Sequence, residues 1–222
     1  TYWLPWYNNK DLNTQLRIAN TTSSSATVRV YIGGQEMVGS PFTLAAGAST
    51  RRSFAGIDRG PVKIVSTQKI VAAERVIYNV NGKLTSFSEM MGLPAIQVDN
   101  TFWLPWYNNV DMDSQLRFAN IGTSTATVRV YIGGQEMPGS PFTLAVGASM
   151  RRSFPGIKTG PVQIVSNQNI VVAERVIYKA AGGVPTSYSE ILGLPASELN
   201  TTHWLPWYNN VDLNSALRFA VP

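Results

Sequence analysis

Few residues in this 222-residue chain have the chemistry of a catalytic group. It has no cysteine and a single histidine, His203, which excludes catalytic thiols, Cys-based metal sites and paired-histidine metal sites. We interpret His203, which precedes a tryptophan, as one more ring packed beside it. General acid–base catalysis needs two carboxylates that converge in a cleft, and no spacing among the acidic residues indicates such a pair. The sequence therefore does not predict an enzyme.

A polar segment offers the best metal ligands. The sequence "NNKDLN" recurs with small changes at residues 8–13, 108–113 and 209–214. It places side-chain oxygens at alternate positions, Asn9, Asp11 and Asn13, and Ca²⁺ accepts such ligands in the first half of an EF-hand loop. The glycine and the late glutamate of that loop are missing, and Asn and Asp also favour turns between strands. A turn is the favoured interpretation and calcium the weaker alternative; no other cofactor is predicted.

The stretch "WLPWYNN" is the best candidate for ligand binding. Trp3 and Trp6 could form a stacking platform for sugar rings, with Asn8 and Asn9 as hydrogen-bond partners. The alternative is structural: the rings plug a protein core or the joint between neighbouring modules, and Pro5 marks an edge strand. We favour the structural interpretation and keep glycan contact as the second.

The chain repeats itself, and the repeat decides its organisation. Residues 1–78 and 101–178 align without a gap at about three-quarters identity. A difference of one residue follows, at 79–86 against 179–187, and it predicts a loop, because length changes are tolerated at hairpin tips. A third, partial copy begins near Thr202.

These copies predict the domain boundaries. Two modules of about 100 residues are expected, with a partial third that contributes two strands: residues 1–100, 101–201 and 202–222. The alternative is that the physical units are offset from the copies, so that each is closed by the opening strands of the next: about 22–121 and 122–222.

Within a copy, short strands alternate with turns. In "ATVRVYI" (residues 26–32), every second residue is apolar, which predicts a strand with one buried face. "GG" at 33–34 then supplies the positive φ angles of a tight hairpin. Seven or eight such strands per copy and no convincing helix predict an all-β fold of tandem immunoglobulin-like β-sandwich modules.

Two groups of side chains recur in the copies and are predicted to be structural. Arg17 and Glu74 lie in strands with apolar neighbours, and we expect a partly buried ion pair between them, repeated by Arg117 and Glu174. The second group is expected to make inter-module or strand-exchange contacts: Trp3, Trp6, Tyr7, Trp103, Trp106, Tyr107, Trp204, Trp207, Tyr208, Leu217 and Phe219.

Charge and hydropathy limit the possible partners. The net charge is +5 and only 14% of the residues are charged, which is too mild a basic excess to predict a nucleic-acid partner. No apolar run is long enough to span a bilayer, so no membrane span is expected.

Three stretches carry a resemblance to a known family: "LRIANTTSSSATVRVYI", "FTLAAGASTRRSF" and "GPVKIVSTQKIVAAERVIY". Together they resemble a tandem repeat of large bacterial surface and secreted proteins, notably those of filamentous bacteria. The match covers both full copies and residues 204–220 of the third. The resemblance implies an extracellular, non-enzymatic, array-forming module at the cell surface, and it implies no ligand.

The partial third copy connects the repeat to a function. It contains the two opening strands of a module without the rest, and unpaired apolar strands favour pairing with another sheet edge. We therefore expect either further repeats of the same chain or head-to-tail association of chains by strand exchange, which builds a filament when the contact does not close. The sequence predicts an extracellular structural repeat protein, with a glycan-binding adhesin that contacts polysaccharide as the alternative.

Overall fold

A computed structural model of the chain describes residues 1–80, 82–179 and 183–222. The fold is all-β, and its strands are antiparallel throughout the described residues. We call residues 1–98 the N-terminal lobe. Its strands are β1 (Tyr2–Leu4), β2 (Tyr7–Asn8), β3 (Asn13–Asn20), β4 (Ala26–Ile32), β5 (Gln35–Glu36), β6 (Phe42–Leu44), β7 (Ser49–Arg52), β8 (Asp58–Arg59), β9 (Val62–Ser66), β10 (Ile70–Val80), β11 (Lys83–Met91) and β12 (Leu93–Pro94), followed by a 3₁₀ helix at Ala95–Gln97.

Residues 99–199 form the C-terminal lobe, which repeats this order. Its strands are β13 (Asp99–Leu104), β14 (Tyr107–Asn108), β15 (Asp113–Asn120), β16 (Ala126–Ile132), β17 (Gln135–Glu136), β18 (Phe142–Leu144), β19 (Ser149–Arg152), β20 (Lys158–Thr159), β21 (Val162–Lys179), β22 (Pro185–Leu192) and β23 (Leu194–Pro195), followed by a 3₁₀ helix at Ala196–Glu198. The long β21 takes the place of both β9 and β10.

Two sheets enclose the core of the N-terminal lobe, an arrangement consistent with a β-sandwich. One sheet has the order β12-β1-β9-β4-β5, with β6 also paired to β4, and the other has the order β11-β10-β3-β7. Side chains from both sheets meet between them, among them Val28, Val30 and Ile64 from the first and Leu16 and Ile18 from the second. The predicted strand at 26–32 is confirmed, and Gly33 and Gly34 adopt the predicted positive φ angles of 57° and 78°.

The strand pairing follows the sequence copies. β1 pairs with β9 and β3 with β10 in the first copy, and β13 and β15 both pair with β21 in the second. The offset units, 22–121 and 122–222, would instead close the first unit with β15, which pairs with β19 and β21. Across the described ranges no strand ladder connects the two lobes. The loop predicted at 79–86 and 179–187 includes residues 81 and 180–182, which lie outside the described residues.

Residues 199–222 contain no strand, so the two strands predicted for the partial third copy are not formed. The reason lies in the pairing: in the full copies these strands are held by β9 and β10, or by β21, all of which come later in the copy. The third copy in this sequence stops before those partners. It keeps only the local turn, in which the Asn209 side chain accepts a hydrogen bond from the Asp212 backbone N–H, as Asn8 does from Asp11.

Candidate functional site

The two lobes meet through one surface of each, and the strand alternation determines the first. In the sheet of β15 and β21, the residues that point away from the lobe's own core are Arg117, Ala119, Val171, Ala173 and Arg175. All five are buried. We call this surface the outer face of the C-terminal lobe. A second layer must cover it, because a sheet face turned to solvent would leave these side chains exposed.

The covering surface belongs to the N-terminal lobe and lies at one end of its sandwich. It consists of Pro5, Trp6, Met90 and Leu93, and we call it the leading edge. Leu93 is part of the buried cluster of the C-terminal lobe. Conversely, Ala173 is part of the buried cluster of the N-terminal lobe. We call the contact between the outer face and the leading edge the joint. Because each core includes residues of the other lobe, the joint excludes water like a protein interior.

Polar contacts fix the register of this joint. The Arg117 guanidinium lies over the Trp6 ring, 5.2 Å from its centroid, and the Trp6 indole N–H donates a hydrogen bond to Asp58 at 2.8 Å. The Ser149 hydroxyl donates to the Pro5 carbonyl oxygen at 2.8 Å. Gly60 leaves room for this contact, since a Cβ atom there would collide with the Pro5 carbonyl oxygen and lie 2.5 Å from the Ser149 hydroxyl. The joint therefore combines a cation–π contact with a hydrogen bond to the backbone.

Four charged groups are buried at the joint. Arg175 and Glu190 form an ion pair at 2.6 Å in which both side chains are almost fully buried. Burial raises the pKa of the Glu74 carboxyl, Glu190 adds to this, and Arg175 and Arg117 of the other lobe act in the opposite direction. Burial also lowers the pKa of the Arg117 guanidinium. Removing one member of such a cluster is costly, because it leaves the remaining charges buried without compensation.

The corresponding surfaces that do not take part in this joint are more exposed. Val171 is 0% exposed on the outer face of the C-terminal lobe, whereas its counterpart Val71 in the N-terminal lobe is 39% exposed. On the leading edges the N-terminal lobe is the covered one: Met90 is 6% exposed, and its counterpart Ile191 in the C-terminal lobe is 54% exposed. The sequences are nearly the same, so the neighbouring lobe alone accounts for the difference.

The arginine–tryptophan contact occurs a second time, one copy further along. Arg218 of the third copy lies over the ring of Trp106, 4.7 Å from its centroid. Arg218 is the counterpart of Arg117, and Trp106 is the counterpart of Trp6. The third copy thus repeats one contact of the joint even though it forms no sheet.

The residues predicted to make contacts between modules divide into four groups. Trp6 and Trp106 carry the arginine contacts, and Trp3 packs against the buried cluster of the C-terminal lobe. Tyr7 and Tyr107 are fully buried within their own lobes. Trp103 is partly buried. The third-copy members are exposed: Trp204, Trp207, Tyr208, Leu217 and Phe219.

The predicted ion pair between Arg17 and Glu74 is not formed. Arg17 lies opposite Ala73 in the ladder of β3 and β10, so its side chain and that of Glu74 point to opposite faces of the sheet. The same register separates Arg117 from Glu174. The two strands lie in one sheet, as predicted, but the two side chains lie on opposite faces of it. Glu74 instead lies near Arg117 of the next copy.

The polar residues near the aromatic stretch are used in a turn. The Asn8 side chain accepts hydrogen bonds from the backbone N–H groups of Lys10 and Asp11, and the Asn9 backbone N–H donates to Ile57. Asn13 accepts a hydrogen bond from the Gln15 side chain at 3.4 Å. No group of three or more histidine or acidic side chains within the described ranges is placed to hold a metal ion. The turn that the sequence favoured is therefore present.

Several residues of the joint were not found from the sequence, notably Ser149, Val171, Ala173 and Leu192. The residues are nearly identical in both copies, and a pattern shared by two copies does not indicate which copy is covered. One signal was available: Val71 and Ala73 are apolar at positions where a strand facing solvent alternates to polar residues. These apolar positions indicate that the stretch "IVAAERVIY" forms a strand covered on both faces.

Comparisons with protein-family models, with curated proteins and with solved structures found no match to this chain. No helix in the part of the chain that the structure describes is long and apolar enough to cross a membrane.

Proposed function

We propose that this protein is an extracellular structural protein, not an enzyme, in which tandem immunoglobulin-like modules stack head to tail into a stiff array. Each lobe is one such module, and the outer face of one module docks on the leading edge of the preceding one. The extracellular setting follows from the resemblance of the copies to bacterial surface repeats. The mechanism differs from strand exchange, because the joint within the chain consists of packed side chains.

One observation carries the proposal. Arg117 stacks on Trp6, and Arg218 stacks on Trp106, so the same pair of residues meets one copy apart at two places in the chain. A contact that recurs with the period of the sequence is what a linear stack of modules requires. Two hydrogen bonds between the lobes, from Ser149 to Pro5 and from Glu190 to Ser88, also support a fixed orientation between modules, which a spacing element needs.

The test measures whether Arg117 fixes the orientation of the lobes. Since the chain has no cysteine, spin labels attach only at introduced residues, and Val38→Cys and Val146→Cys place one label on an exposed site of each lobe. We expect a narrow distribution of label distances by pulsed electron paramagnetic resonance in the otherwise unchanged chain. Arg117→Ala should broaden it, because the joint loses its stacking contact and a buried charge.

Arg17→Ala is the matched control, because Arg17 is the counterpart of Arg117 on the uncovered outer face. It should leave the distance distribution narrow. A broad distribution in the unchanged chain would contradict a stiff array, as would equal broadening by the two variants. Circular dichroism verifies that both variants remain folded.

A further inference from the structure

The N-terminal lobe has an outer face of its own, formed by the counterparts of the residues on the outer face of the C-terminal lobe. No lobe covers it. A shallow depression of about 340 Å³ lies on it, and the residues that line it include Arg17, Ala19, Ser49, Val71, Ala73 and Glu89. The counterpart of each of these six belongs to the covered outer face of the C-terminal lobe or its rim: Arg117, Ala119, Ser149, Val171, Ala173 and Glu190. The uncovered surface therefore has the composition of one that binds a leading edge.

The matching surface lies at the far end of the C-terminal lobe. Pro105 and Ile191 are exposed there and Leu194 is only partly buried, whereas their counterparts in the N-terminal lobe, Pro5, Met90 and Leu93, are buried in the joint. The chain therefore carries one uncovered outer face and one leading edge that no lobe covers.

We infer that the uncovered outer face of the N-terminal lobe binds the leading edge of the C-terminal lobe of a second copy of this chain. The inference rests on the proposed function and names the partner and both surfaces. Its basis is continuity with the joint already present: within the chain, the counterparts of these two surfaces bind each other with buried apolar contacts and hydrogen bonds. The contact is head to tail and joins two different surfaces, so it leaves a free surface of each kind and extends into a filament.

Charge complementarity supports the same partner. Glu174, beneath the uncovered leading edge, is buried, and the groups that shift its pKa are its burial and the Ser114 hydroxyl. Its counterpart Glu74 has Arg117 and Arg175 of the neighbouring lobe nearby. In a contact between copies, Arg17 and Arg75 would occupy the positions of those two arginines. A basic outer face thus meets a buried carboxylate.

The third copy competes for the same place. Arg218 lies over Trp106, where Arg17 of the second protein chain would stack. Residues 199–222 form no strand and are largely exposed, so they hold this place with few other contacts. Loss of the Arg218 side chain should therefore strengthen association, because one competing contact is removed from the leading edge.

Sedimentation velocity of the full chain over a roughly hundredfold range of concentration tests the inference. The unchanged chain should form dimers and longer oligomers from its 24.3 kDa monomer. Val71→Asp on the outer face and Ile191→Asp on the leading edge should each weaken association by more than about tenfold, because each replaces an apolar side chain whose counterpart, Val171 or Met90, is buried in the joint with a charge that the contact would desolvate. Arg218→Ala should strengthen it several-fold. Val38→Asp makes the same change at a 97% exposed valine away from both surfaces and should have no effect.

A mixture of the two weakened variants distinguishes head-to-tail contact from a symmetric one. The Val71→Asp chain keeps its leading edge and the Ile191→Asp chain keeps its outer face, so the mixture should form one-to-one dimers that do not extend further. Monomers in the mixture, or monomers of the unchanged chain at every concentration, would overturn the inference.

The label-distance experiment separates this failure from that of the proposed function. Monomers with a narrow distance distribution would overturn only the contact between copies, and the stack within the chain would stand. Monomers with a broad distribution would overturn both.

Discussion

The buried tyrosines show how one side chain ties distant segments of a lobe together. The Tyr7 hydroxyl donates a hydrogen bond to the Thr14 carbonyl oxygen at 3.0 Å and accepts one from the Phe54 backbone N–H at 2.7 Å. Tyr107 makes the equivalent pair of bonds in the second copy. Burial raises the pKa of Tyr7 to about 12, so its proton is retained at any physiological pH. These hydroxyls satisfy backbone groups that would otherwise be buried without partners.

Tyr7→Phe and Tyr107→Phe should each lower the free energy of unfolding by about 1–3 kcal/mol, because the backbone N–H of Phe54 or Phe154 loses its partner. Urea denaturation followed by circular dichroism measures the change. Tyr208 is the control: among the residues that the structure describes, its hydroxyl bonds only to the Ser215 carbonyl, in an exposed segment. If Tyr208→Phe were as damaging as the other two, this account of the hydroxyl would be wrong.

Glu174 makes the stability of the C-terminal lobe depend on pH. Burial raises the pKa of its carboxyl to about 7 from an ordinary value of 4.5. The folded state therefore binds the proton more tightly than the unfolded state, and the free energy of unfolding falls as the pH rises through this window. The loss is about 3 kcal/mol at most. Tyr107 lies close enough for the Glu174 charge to raise its pKa, although burial is the larger cause of that shift.

Glu174→Gln should remove this dependence. The variant should match the unchanged chain at pH 4, where the carboxyl is protonated in both states, and should be more stable at pH 8. Chemical denaturation at the two pH values measures both. Glu198→Gln changes the same charge at an exposed site and should give no difference between them. A Glu174→Gln variant that is less stable at pH 8 would show that the carboxylate is compensated in the folded state.

The third copy shows which elements form from local contacts and which need distant partners. Its Asn209 turn matches the turns of the full copies, because a side chain that accepts a hydrogen bond from a backbone N–H two or three residues later needs no other partner. Its strands are absent, because a strand needs a neighbour to pair its backbone groups. The turn could be predicted from the residues alone; the strands depended on partners that this part of the sequence does not contain.

Hydrogen exchange should show this division. Peptides that cover 14–20 and 114–120 should be protected for minutes or longer, since β3 and β15 are paired on both sides. The equivalent peptide at 215–220 should exchange at the earliest time measured. Exchange detected by mass spectrometry compares all three in one sample. Protection of the third peptide in a monomeric sample would mean that it pairs with a sheet.

The sequence predicts the strands of each lobe better than it predicts their burial. Apolar alternation and the Gly33–Gly34 turn determine β4 and the hairpin that follows it, and both are local. The joint is different, because Val71 and Val171 are the same residue in the same sequence and are buried to different degrees. Only the position of a neighbouring lobe separates them. For the same reason Arg17 could be assigned to a strand but not to a partner.

At the scale of the molecule, Leu192 couples the two lobes. It packs against the buried clusters of both. Its counterpart Met91 is 54% exposed on the uncovered outer face. A residue shared by two cores makes the stability of each depend on the other, so the lobes should unfold together.

Leu192→Ala should lower the free energy of unfolding by about 2 kcal/mol and should split thermal unfolding into two transitions, because it removes packing from both clusters. Met91→Ala is the matched control and should change stability by less than about 0.5 kcal/mol. Differential scanning calorimetry measures both variants. Equal effects, or two transitions already in the unchanged chain, would contradict coupling through the joint.

The one-copy offset between Arg117 and Trp6 has a consequence for how such a protein can evolve. Each full copy carries both an outer face and a leading edge, so a duplicated full copy brings the two halves of a new joint with it. Unequal recombination between near-identical copies would lengthen or shorten the protein by about a hundred residues at a time and would restore a complete joint at every junction. Length can then change under selection without any accompanying substitution, while the rotation between neighbouring modules stays constant.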